Sequence, residues 1–200
     1  MNRFLHDFIG ATATIPSKTL GQLKVEAASF TAAIDGDLVV HFGKPFEQEE
    51  LLVRIHSECV FGEVLHSDLC DCAEQLSKAL ERLQQEGNGL LIYLRLDGRG
   101  AGLAAKVKAT ALEVAGVDTF ESRIKIGVAP EGRDFSAVGR YLFERGVKQV
   151  RLLTNNPQKC AGLTEAGIKV TMERLLVEPS SDAVRQLYRT KKEKFHHDIP

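Results

Sequence analysis

The chain has 200 residues, 44% hydrophobic and 26% charged, with a formal net charge of −1 from 26 basic and 27 acidic side chains. That size fits one domain with a sizeable core. Balanced charge excludes the basic excess of a general nucleic-acid binder, and no apolar run approaches a membrane span. A small phosphate ester remains open as a ligand, because a few convergent Arg and Lys suffice to hold one. Met1 to Asp7 lacks a signal-peptide core, so a cytoplasmic setting is expected. There the four cysteines point to metal binding or catalysis rather than disulfides.

Up to about residue 58 the pattern is strand-like. Gln22 to Ala27 alternates, Asp37 to Phe42 is a short β-rich run, and Leu52-Val53-Arg54-Ile55-His56 leads into a cysteine loop. Helix and strand then alternate. Ala73, Leu76, Leu80 and Leu83 form an apolar stripe at helical spacing, with Gly87 as its C-cap. Leu90 to Leu94 reads as a buried strand. Asp97-Gly98-Arg99-Gly100-Ala101-Gly102 is a glycine-rich loop opening a helix that carries Leu103, Val107, Ala111 and Val114. Residues 136–145 read as a helix, Val147 to Leu153 as a strand, and Thr154-Asn155-Asn156-Pro157 as a turn. A helix from about Gln158, a strand from Ile168 to Met172 and a charged helix from Ser181 complete the series. The pattern predicts a mixed, layered α/β fold, with an N-terminal β-rich segment followed by alternating strands and helices, as one domain over 1–200.

Chemistry concentrates in Cys59-x10-Cys70-x-Cys72. Three thiols at such spacing suggest one zinc ion with an open fourth position, the mark of a catalytic rather than a structural site. Ordinary buried cysteines are the bland reading, weakened by Asp71 between two of them. Cys160 is read as core. His56-x-Glu58 resembles half of the zinc deaminase signature, but its Pro-Cys-x-x-Cys partner is missing, which argues against a deaminase; Glu58 stays as a group supporting the metal. The glycine-rich loop before a helix suits an anion, with Arg99 and Lys106 at hand, although a plain tight turn accounts for it equally well. Glu131-Gly132-Arg133-Asp134 sets an arginine among carboxylates. In Thr154-Asn155-Asn156-Pro157-Gln158-Lys159, Pro157 suits a first helical turn and Lys159 can reach a phosphate.

In order and over nearly the whole chain, these segments resemble GTP cyclohydrolase II. The resemblance runs through Val53-Arg54-Ile55-His56-Ser57-Glu58-Cys59, Leu69-Cys70-Asp71-Cys72, Gln75-Leu76, Tyr93-Leu94-Arg95, Asp97-Gly98-Arg99, Gly102-Leu103, Arg133-Asp134-Phe135 and Arg151-Leu152-Leu153-Thr154-Asn155-Asn156-Pro157. It implies a magnesium-dependent, zinc-containing homodimer of riboflavin biosynthesis. Such an enzyme opens the imidazole ring of GTP and releases formate and pyrophosphate, leaving a 2,5-diamino-6-ribosylamino-pyrimidinone 5'-phosphate. Carried over by position, Cys59, Cys70 and Cys72 bind zinc, Arg133 is the nucleophile toward the α-phosphate, and Glu131 falls where the family has an aspartate proton acceptor. Arg54, Ile55, His56, Ser57, Glu58, Gln75, Asp97, Gly98, Arg99, Thr119, Thr154 and Lys159 fall at nucleotide-binding positions.

Three departures stand out. Leu69 replaces an arginine, Leu96-Asp97 replaces Gln-Glu, and Thr110 replaces an active-site tyrosine. Members without that tyrosine can stop after ring opening and retain the formyl group. The rival expectations are therefore a divergent paralogue that keeps the formyl group or takes another nucleotide, and a catalytically silent nucleotide-binding protein.

Overall fold

The computed structural model describes residues 8–31 and 36–199; the Met1 to Asp7 stretch considered above for a leader lies outside them. Seven strands are β1 (Thr12–Ser17), β2 (Gly21–Ala28), β3 (Asp37–Phe42), β4 (Leu51–Ser57), β5 (Gly89–Leu94), β6 (Gln149–Leu153) and β7 (Lys169–Glu173). The α-helices are α1 (Val60–Glu63), α2 (Cys72–Glu86), α3 (Gly102–Val114), α4 (Glu121–Lys125), α5 (Ser136–Glu144), α6 (Pro157–Thr164) and α7 (Asp182–Phe195).

One sheet contains all seven strands in the order β1-β2-β3-β5-β4-β6-β7. From β1 to β5 the pairing is antiparallel; β5, β4, β6 and β7 run parallel. The mixed α/β architecture is thus as expected, with the β-rich segment first. β1 lies in the segment expected to be strand-like; five of its six residues are exposed and it carries Pro16, features of an edge strand. α1 and α4, at four and five residues, are too short for a helical period to register.

β4 is buried from Leu51 through His56, as a central strand covered on both faces should be. Its odd-numbered side chains, with Leu90, Ile92, Val150 and Leu152, pack on Val138 and Leu142 of α5 and Leu163 of α6. Its Leu52, with Val40, Leu91 and Leu153, packs on Ala79 and Leu83 of α2. Each such aliphatic side chain contributes roughly 1.5–3 kcal/mol by leaving water. Gly87 ends α2 at φ 74°, its N–H reaching the Leu83 and Gln84 carbonyls, as the C-cap expectation required.

α3 forms where the pattern places a helix, but it packs in an unusual way. Its apolar stripe is not buried: Leu103, Val107 and Val114 are 44%, 54% and 70% exposed. The inward residues are instead Lys106 and Ala109. The helix is turned by Lys106, whose ammonium is drawn to a carboxylate and a thiol described below, so the apolar face is left outward. Arg54 and His56 lie on the α2 side of β4, and the chain leaves β4, β5 and β6 at one edge. Loops outside the carboxyl ends of parallel strands are where open α/β sheets bind ligands.

Candidate metal and anion site

Cys59 follows β4 and begins α1, while Cys72 begins α2, so two helix starts deliver thiols to one point. The sulfurs of Cys59, Cys70 and Cys72 lie within 4.8 Å of one another, and Cys59 Sγ is 3.6 Å from Cys70 Sγ. Gly62 leaves room for them: a Cβ there would sit 2.9 Å from Cys70 Sγ. Hydrogen bonds from the other thiols and from Lys106 Nζ (3.0 Å) push the Cys59 thiol far below its usual range, while the neighbouring sulfurs of Cys59 and Cys70, and then burial, raise Cys72. A thiolate beside two more thiols with no disulfide is a donor set for a soft or borderline metal.

Around it runs a continuous polar network. Arg54 donates to the Leu153 carbonyl (2.9 Å), to Gln75 Oε1 (3.0 Å) and toward His56 Nδ1 (3.3 Å). Gln75 in turn donates to Asp71, which also accepts from Tyr188 (2.7 Å) and Lys191 (2.9 Å) of α7. His56 Nε2 faces Glu63 Oε1 at 2.9 Å, and the same carboxylate accepts from the Cys59 N–H and the Tyr93 hydroxyl. Burial pushes His56 down to about 4, so the imidazole is neutral, with Nε2 as donor and Nδ1 as acceptor.

The glycine-rich loop and the 131–133 segment meet edge to edge. Gly98, Arg99 and Gly100 all have positive φ, and a Cβ on Gly100 would come within 3.0 Å of the Gly132 carbonyl. That approach lets Gly132 N–H bond the Arg99 carbonyl at 3.1 Å. Arg133 is gripped by Glu131 through Nε (2.7 Å) and Nη2, and its Nη1 reaches Ser57 Oγ at 3.3 Å. Burial alone would raise Glu131, but the Arg133 and Arg99 guanidiniums outweigh it and hold the carboxylate ionised. Asp97 is fully engaged, accepting from the Val60 and Gly98 N–H groups and from Lys106 Nζ at 2.6 Å. Lys106 is therefore tied to the thiol and Asp97, rather than free for phosphate as its position in the sequence suggested.

A cavity of about 1100 Å³, open mouth included, gathers most of the expected residues: Arg54, His56, Ser57, Glu58, Cys59, Cys70, Cys72, Gln75, Asp97, Gly98, Arg99, Thr119, Arg133, Thr154 and Lys159. The departures Leu69, Leu96 and Thr110 line it too. Two expected residues do not. Ile55 points into the core, and only its carbonyl takes part, accepting Lys159 Nζ at 2.8 Å. Glu131 stands behind Arg133 rather than on the wall. Burial, with Arg54 and Arg133 nearby, drives the Lys159 ammonium well below its usual pKa. Pro157 does open α6, and Asn156 caps it by accepting the Gln158 N–H.

Further wall residues, among them Arg123, Leu187, Lys191 and His197, carry no mark in the sequence pattern. Arg123 sits in a short charged helix that reads as surface. The other three come from α7 and the chain beyond it, whose tail is pinned across the site by Asp198: its N–H meets the Asn155 carbonyl and its carboxylate meets Arg174. Among the described residues, seven Arg and Lys side chains thus line the cavity (Arg54, Arg99, Lys106, Arg123, Arg133, Lys159 and Lys191) against three acidic ones, Glu58, Asp97 and Glu113. Such a wall suits a polyanion.

A family model described as GTP cyclohydrolase II matches residues 9–175. A GTP cyclohydrolase-2 of Streptomyces coelicolor is 39% identical over 76% of this chain and 69% of its own length. One of Actinobacillus succinogenes is 39% identical over 94% of this chain and 86% of its own. A riboflavin biosynthesis protein RibBA of Bacillus velezensis is also 39% identical, over 87% of this chain, which spans only 42% of that longer protein.

Proposed function

The chain belongs to the GTP cyclohydrolase II family, and on that premise we propose that it opens the imidazole ring of GTP. Formate and pyrophosphate would leave, giving a 2,5-diamino-6-ribosylamino-pyrimidinone 5'-phosphate for riboflavin synthesis. The observation that carries this reading is a single cavity with a cationic wall and three clustered thiols, which suits a nucleotide with its phosphates on arginine and its base near a metal.

Zinc fits the thiol set, with Cys59, Cys70 and Cys72 as its ligands; when bound, it supplies a Lewis acid that activates water near neutral pH. Mg²⁺ would arrive with the phosphates, which it neutralises in part. Arg133 engages the α-phosphate, and Glu131, hydrogen-bonded to it and ionised, is the proton acceptor. Arg54, Gln75 and His56 present fixed donors and acceptors to the base, because each is already oriented by a second partner. Ser57, Glu58, Gly98, Arg99, Thr119, Thr154 and Lys159 complete the wall, and the Ile55 carbonyl orients Lys159. Asp97 acts indirectly by fixing Lys106 beside Cys59.

The outward apolar face of α3 supports a homodimer, since such a stripe is unfavourable in water. We place the protein in the cytoplasm as one domain; among the described residues no helix is long and apolar enough to cross a membrane. A second reading is favoured by Thr110. It lines the cavity where the resemblance expects a phenol, and a threonine hydroxyl cannot reach as far. On that reading the ring opens and the formyl group stays. Mass spectrometry of products from zinc-loaded protein, GTP and Mg²⁺ separates full turnover, a formylated product and a silent nucleotide binder. The absence of any GTP consumption would refute both catalytic readings.

A further inference from the structure

Arg123 is a charge the proposed reaction leaves unused. It sits on α4, 4% exposed, and lines the cavity beside Gly98, where a Cβ would lie 3.8 Å from its Nη1. Among the described residues, its Nε and Nη1 are buried with no hydrogen-bond partner. Acids of the site are otherwise engaged: Glu131 by Arg133 and Arg99, Asp97 by Lys106, and Glu113 by the Ser122 hydroxyl. Arg99, whose pKa burial lowers to about 10, is also destabilised by the charges of Arg133 and Arg123. Three guanidiniums therefore share one cavity wall, and Glu131 pairs with only two of them, Arg99 and Arg133. A buried guanidinium with unmade hydrogen bonds is costly, and the cost is removed only by an anion that arrives from outside.

We propose that Arg123 is a substrate-binding residue that takes a phosphate oxygen of the nucleotide, completing a three-arginine clasp with Arg99 and Arg133. This rests on the nucleotide reading above. Phosphate is favoured over the base because guanine's O6 and N7 are neutral acceptors, which leave the excess positive charge uncompensated. The clasp also accounts for burial without a partner: the free protein holds donors ready for a ligand that brings its own negative charge.

The test uses the metal-loaded full chain with two probes, magnesium tripolyphosphate and an α,β-methylene analogue of GTP, titrated by calorimetry. In Arg123→Met both affinities should fall on the order of tenfold to hundredfold, the range expected for a lost charge-assisted hydrogen bond. The melting temperature of the free variant should equal or exceed the parent's, because an unpaired buried charge has gone. Arg123→Lys keeps the charge without the fork and should fall between them, and it carries the test if the methionine variant does not fold. If Arg123→Met melts lower and binds both probes as the parent does, the residue is structural and the proposal is overturned. Weaker binding of the GTP analogue alone would also overturn it, because Arg123 would then read the base. A parent that binds neither probe would instead sink the nucleotide reading itself.

Discussion

At the residue scale the thiols and Arg133 carry the sharpest expectations. Cys70→Ser removes one of three sulfurs within 4.8 Å, so metal content should fall from about one per chain toward zero, and turnover with it. Elemental analysis beside a GTP-consumption assay checks this; a metal-free variant with full turnover would exclude the thiol site from the chemistry. Arg133 is held by two nitrogens on Glu131, a grip lysine cannot reproduce. Arg133→Lys should therefore lose on the order of 10²–10³-fold in kcat while keeping its circular dichroism, the scale of losing a transition-state charge contact. Near-parental kcat would show that this arginine only decorates the wall. The difference between these residues and Arg123 explains what was legible. Cys59, Cys70 and Cys72 announce themselves by type and spacing. Arg123, in Glu121-Ser122-Arg123-Ile124-Lys125, has the composition of a solvated surface turn, and only tertiary packing tells that its guanidinium points inward.

At the element scale, β3 is legible because Asp37 to Phe42 is a short β-rich run around Val39 and Val40, and α2 because its stripe and C-cap agree. α3 was legible as a helix but not in its orientation. Periodicity finds the apolar face, and an isolated domain would bury it; here Lys106 takes the inward position through Asp97 and Cys59. Hydrophobic patterning cannot foresee a buried lysine held by Asp97 of the preceding loop and by Cys59 from a distant segment. The exposed stripe is the face on which the proposed homodimer would pack. Val107→Asp, at a position 54% exposed, should leave the fold intact and shift the protein toward monomer in sedimentation velocity. An unchanged sedimentation coefficient would move the interface elsewhere. α7 carries the complementary lesson. Nothing in its charged sequence marks it as part of a site, yet Tyr188 and Lys191 both reach Asp71, between two of the thiols, at 2.7 and 2.9 Å.

At the scale of the whole molecule, the cationic cavity and the buried imidazoles together set a response to acid. His56 is pushed down to about 4 by burial, against the opposing pull of Glu63, and His197 to about 3 by burial and the cations around it. Burial lowers His41 as well, with Glu26 pulling the other way. All three are neutral in the folded chain and titrate near 6.5 when unfolded. Below that pH the unfolded state takes up protons that the folded state refuses, so stability is fully present above about pH 6.5 and is lost as pH falls. His56 alone corresponds to roughly 3 kcal/mol between pH 6.5 and its folded value of about 4. Carboxylates such as Asp71, held near 2 by Lys191 and Tyr188 against its burial, add their own loss only at lower pH. Release of a thiolate-bound metal falls in the same direction, so the clean probe is His41. It lies on the α5 side of the sheet with Glu26, Tyr141 and Arg145, away from the thiols. Denaturant titrations at steps from pH 7.5 to 4.5 should show unfolding free energy dropping in the parent and dropping less in His41→Gln, which has no proton to refuse. Parallel curves for the two proteins would mean that folding leaves the His41 proton affinity unchanged, and the acid response would then have to come from the site alone.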